Sequence, residues 1–122
     1  MKEQCRKIIE KFRPFRVLVV GDAILDIYIK GNSSRLCREA PVPVINVQEQ
    51  EYNCGGAANT AINLAGLGAE TWFLTVTGND EHGKMLEKSL QSSGIYTNLM
   101  IRTEERTTIA KKRIMAADSI LL

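Results

Sequence analysis

The chain has 122 residues, 44% of them hydrophobic and 25% charged, a composition that suits one soluble globular domain. Sixteen basic against fourteen acidic residues leave a formal charge of +2, too balanced to indicate nucleic acid or an anionic membrane as a partner. No apolar run reaches the ~20 residues of a membrane span, and the Met1-Lys2-Glu3-Gln4 start lacks the apolar core of a secretory signal. Cys5, Cys37 and Cys54 are far apart with no C-x-x-C pair, which fits reduced thiols in the cytoplasm rather than disulfides or zinc.

Residues 2–12 place Cys5, Ile8, Ile9 and Phe12 at helical spacing, which predicts an amphipathic helix stopped before Pro14. Arg16 to Gly21 then reads as a short apolar strand of the kind buried on both faces of a parallel sheet. Ligands of open α/β sheets sit beyond the carboxyl ends of strands, so Asp22 and Asp26 are candidates for that crevice. A turn role suits Asp22 better and a ligand role Asp26. Residues 27–30 and 42–47 read as two strands of a small antiparallel flap, joined by a polar link that contains Asn32, Ser33, Ser34 and Arg35. Pro43 argues for an edge position. A flap with an exposed apolar face needs a substrate or a second chain to cover it.

Asn53 to Gly68 is the stretch around which the chain is organised. Gly55-Gly56 permits a tight turn, Ala58, Ala61, Ile62 and Ala65 form one helical face, and Gly68 falls where a left-handed C-cap belongs. The free N–H groups and dipole of such a helix start attract oxygen-rich ligands, and Asn59 adds an amide that both donates and accepts. A glycine turn feeding a ligand-free packing helix has the same pattern. Glu70 to Gly78 predicts a second buried strand, and Asn79 or Asp80 caps a helix carrying Met85, Leu86 and Leu90, closed by Gly94. The single histidine, His82, falls on its exposed side, without a second ligand for a metal. Residues 97–101 and 107–115 predict strands, the latter returning to the flap. The fold class is α/β with a largely parallel sheet, in one domain over residues 1–122.

No P-loop, G-x-G-x-x-G fingerprint or G-x-S-x-G elbow is present. What remains is a carboxylate (Asp26), a glycine pair and an amide (Asn59), groups suited to neighbouring sugar hydroxyls. The runs Val19-Val20-Gly21-Asp22-Ala23-Ile24-Leu25-Asp26, Glu39-Ala40-Pro41-Val42-Pro43-Val44 and Gly55-Gly56-Ala57-Ala58-Asn59-Thr60-Ala61 together resemble the N-terminal part of the ribokinase-like sugar kinases, from about residue 16 to the end. Ser34-Arg35 followed by the Glu39–Val44 run is similar, more narrowly, to the heptose 7-phosphate kinases of ADP-heptose synthesis, including the kinase part of bifunctional kinase/adenylyltransferases.

That resemblance implies a Rossmann-type, mostly parallel sheet flanked by helices, with a β-sheet lid formed by about residues 27–30, 42–50 and 107–115. It implies that Asp26 binds sugar hydroxyls, that Gly55, Gly56 and Asn59 line the same pocket, and that the lid pairs with a second subunit in a homodimer. Charge and lid position make Arg35, Lys111 and Arg113 candidates to face the 7-phosphate, with a plain surface role as the alternative. The whole kinase would use ATP and Mg²⁺ to phosphorylate the C1 hydroxyl. The family's D-T-x-G-A-G-D stretch, with its catalytic Asp, is not among these residues. The catalytic residue is therefore expected beyond residue 122, and the segment is expected to be truncated, inactive alone, and without ATP or metal of its own. Two alternatives stay open: a non-enzymatic sugar-binding or dimerisation module, and a kinase for another sugar such as ribose, fructose or a nucleoside.

Overall fold

The structure, a computed structural model, describes residues 1–13, 15–116 and 119–121. The helix stop expected at Pro14 and the terminal strand expected over Asp118 to Leu122 rest in part on residues outside that range. In chain order the elements are α1 (Lys2–Glu10), β1 (Arg16–Val20), β2 (Ala23–Leu36), β3 (Pro43–Gly56), α2 (Ala57–Gly66), β4 (Glu70–Leu74), β5 (Val76–Gly78), α3 (Glu81–Ser92), β6 (Ile101–Thr103), β7 (Ala110–Ala116) and β8 (Ser119–Ile120). They fall into two compact units, Met1–Leu25 with Cys54–Ile109 and Asp26–Asn53 with Ala110–Leu122. No described helix is long and apolar enough to cross a membrane.

In the first unit, β1 pairs with β4 and β5 with β6, both in parallel. Ala58 and Ala61 of α2, Phe73 of β4, and Leu86 and Leu90 of α3 are all fully buried. The small side chains of α2 let its backbone lie close to β4 and β1. Burying Phe73 contributes about 2–3 kcal/mol. Behind α2, whose C-cap is Leu67, Gly68 follows at C′ with φ 98°, a left-handed conformation that favours glycine.

Several elements differ from expectation. β1 is not buried on both faces: Leu18 and Val20 are 52% and 65% exposed. The register sets Leu18 beside Trp72 and Val20 beside Leu74, while the buried Thr71 and Phe73 alternate to the other face. The strand expected over Glu70 to Gly78 breaks at Thr75, whose hydroxyl accepts the Ala23 N–H at 3.2 Å. β4 and β5 therefore serve different partners. Residues 97–100 are a turn rather than the start of a strand, closed by the Met100 N–H on the Thr97 carbonyl at 2.9 Å. α1 ends at Glu10 and buries none of its residues. His82, expected on the exposed side of α3, is half-buried.

The second unit is built on a sheet of order β3-β2-β7-β8, with β7 antiparallel to β8. The strands are longer than their apolar cores suggest. Asn32 to Arg35, expected as a link, continue β2, and β2 starts so early that Asp26 lies inside a strand instead of in a loop after β1. Pro43 is the first residue of β3, which lies at the edge of the sheet, where a missing N–H costs nothing.

Candidate functional site

β3 runs straight into α2, and Gly56 makes the corner as N-cap, with φ 59° and ψ −139°. A Cβ there would lie 2.6 Å from the Asp22 carbonyl oxygen, so glycine is required both by conformation and by space. That carbonyl accepts the Ala57 N–H at 3.0 Å. Asp22 thus serves through its backbone, the turn role expected of it. No side chain caps α2 and no acidic residue lies in its first turn. Asn59 is exposed on that first turn, while Gly55 is buried. Gly55, Gly56 and Asn59 therefore lie together around a helix start whose amides lack a side-chain partner.

α3 begins differently. Its N-cap, Asp80, accepts the Gly83 N–H at 2.8 Å on Oδ1, the Thr108 hydroxyl at 2.7 Å on the same oxygen, and the Thr108 N–H at 2.8 Å on Oδ2. The Gly78 N–H in turn donates to the Thr108 hydroxyl at 3.0 Å. The Thr108 N–H, followed by the Gly83 N–H, holds the Asp80 carboxyl below the ordinary carboxylate range. This clasp fixes the chain two residues before β7 begins. Its cap was legible in the sequence; its bond to Thr108, 28 positions away, was not.

Asp26, Arg35, Lys111 and Arg113 all belong to the second unit. Arg113 Nη1 donates to Asp26 Oδ1 at 2.6 Å, with side chains only 22% and 20% exposed. The Arg113 guanidinium lies 4.9 Å from the centre of the Tyr28 ring, a stacking residue that the sequence did not single out. Arg35 and Lys111 are exposed. Further along β2, Lys30 pairs with Glu51 and lies 3.6 Å from Glu49, and the hydrogen bond to Glu51 raises its pKa above the ordinary lysine value. Val42, Pro43, Ile45, Ile114 and Leu121 line an apolar hollow of about 450 Å³ in this unit.

Among the described residues, no group of three or more His, Cys, Asp or Glu side chains is placed to hold a metal ion. The sequence carries no G-x-x-x-x-G-K-[ST] phosphate loop either, and no step of phosphoryl transfer is assigned to these residues.

Comparison with known proteins gives these features a family. The chain is 44% identical over 112 residues to the bifunctional protein HldE of Pseudomonas aeruginosa (strain LESB58), covering 92% of this chain and 24% of that protein. It spans about a quarter of the length of the curated relatives it matches. Among solved structures it is similar to Arabidopsis thaliana ribokinase complexed with ribose and ATP, at TM-score 0.69 and 25% identity over 87% of this chain and 35% of that one. A carbohydrate kinase from Agrobacterium tumefaciens shares the fold at TM-score 0.74 and 21% identity, over 88% of this chain and 34% of that one. The fold is ribokinase-like α/β, as the sequence resemblance implies. The model of the pfkB family of carbohydrate kinases matches residues 15–119, and the chain belongs to that family.

Proposed function

We propose that these residues supply the sugar-binding and lid part of an ATP-dependent kinase that phosphorylates heptose 7-phosphate at its C1 hydroxyl. The observation that carries this reading is the start of α2, where Gly55, Gly56 and Asn59 surround amides that no side chain caps. Sugar hydroxyls can accept from those amides and both donate to and accept from the Asn59 side chain. Asp26, a carboxylate on the lid strand β2, accepts from further hydroxyls. Arg35 and Lys111, exposed cations of the same unit, are assigned to the 7-phosphate. The narrower pattern of Ser34-Arg35 with Glu39 to Val44 supports heptose over ribose or fructose. ATP and Mg²⁺ would act on residues supplied elsewhere in the kinase, which positions and neutralises the transferring phosphoryl group.

A second reading, a sugar-holding dimerisation module without activity, draws on the lid itself. β3 is an edge strand, and the hollow lined by Val42, Pro43, Ile45, Ile114 and Leu121 is apolar, so a second copy of the lid is the proposed cover. Native mass spectrometry with heptose 7-phosphate, ribose and fructose tests both readings together. A dimer that retains heptose 7-phosphate in preference to the other two is the expected result. Retention of ribose or fructose instead would replace the assigned substrate, and a ligand-blind monomer would remove both readings.

A further inference from the structure

We propose that Arg113 is a positioning residue for the sugar end of the site, holding Asp26 so that one carboxylate oxygen stays free for a hydroxyl, and that it is not a contact to the phosphate. This rests on the reading of Asp26 as a sugar ligand. Asp26 and Tyr28 lie two residues apart on β2 and so share a face. β7, which carries Arg113, neighbours β2 in the sheet. The guanidinium is committed on two sides: one N–H donates to Asp26 Oδ1 at 2.6 Å, and its Cζ lies over the Tyr28 ring, 4.9 Å from the ring centre. Asp26 Oδ2 accepts no hydrogen bond among the described residues. A carboxylate held through one oxygen has a fixed orientation and an open acceptor, which recognition of a hydroxyl requires. Lys111, two residues earlier on the same strand, is exposed and unconstrained in this way, and remains suited to an anion.

Ring stacking and a fixed fork of donors are properties of arginine that lysine lacks. Calorimetric titration of heptose and of heptose 7-phosphate into the wild-type chain, Arg113→Ala, Arg113→Lys and Asp26→Asn separates the roles. Both Arg113 variants should weaken the two sugars by the same factor, about tenfold. The double variant Asp26→Asn/Arg113→Ala should be little weaker than Asp26→Asn alone, because the pair acts as a unit. Loss confined to the phosphorylated sugar, full rescue by Arg113→Lys, or additive losses would overturn the assignment. The wild-type Arg113 Nε–H resonance gives a readout that needs no variant. It should shift equally with the two sugars, whereas a shift with heptose 7-phosphate alone would place Arg113 on the phosphate. If the wild-type chain binds neither sugar, the sugar-site reading fails and this one with it. Wild-type binding that Arg113→Ala leaves unchanged overturns this inference alone.

Discussion

Two helices of the first unit, α2 and α3, start in opposite ways. α3 begins with Asp80, whose carboxylate takes the Gly83 N–H and both donors of Thr108, with Glu81 following in its first turn. α2 begins with Gly56 at φ 59°, with neither a side-chain cap nor an acidic residue. Capping is easily achieved and worth about 1 kcal/mol. Its presence on one helix and absence on the other separate the two ends: α3 is closed by a carboxylate, and the start of α2, without a side-chain partner, is the end the proposed sugar site would use.

The largest expected effect lies at the closed end. Asp80→Ala removes a cap and leaves Thr108 without its acceptor, a loss of about 2–4 kcal/mol in urea unfolding. The same carboxylate gives the chain a dependence on acid. Its folded pKa is lowered, so its contribution is complete above the unfolded value of ~3.9 and disappears as pH falls through the folded value. Asp80→Asn should flatten that acid limb of the stability–pH curve, and an unchanged limb would show that the clasp does not form. A smaller effect, of opposite sign, is expected at the open end. Asn59→Asp sets a negative charge near the start of α2 and should raise stability by about 0.5 kcal/mol. It also deletes the amide donor and should weaken sugar binding about tenfold. If affinity and stability rise together, the open helix start is not the site.

The α2 stretch was legible because its signals are local: two glycines, an alanine face at helical spacing, and Gly68 at the end. What failed were inferences from polarity and from apolar runs. Asn32, Ser33 and Ser34 look like a link, yet they are exposed residues of a strand in a sheet where polar side chains are no sign of a loop. Leu18 and Val20 look like a doubly buried strand, yet they lie on an open face. An apolar run shows that a surface can be covered, and burial depends on what packs against it. The Asp26–Arg113 pair joins residues 87 positions apart, so no local period encodes it. Lys30 between Glu49 and Glu51 is another non-local pair of the same unit.

The most direct measurement is calorimetric titration of heptose 7-phosphate into the wild-type chain and into Asp26→Ala. A sugar site on these residues requires saturable binding to the wild type, weakened about tenfold or more by the substitution. Equal affinity in both proteins, or no binding to the wild type, would contradict it.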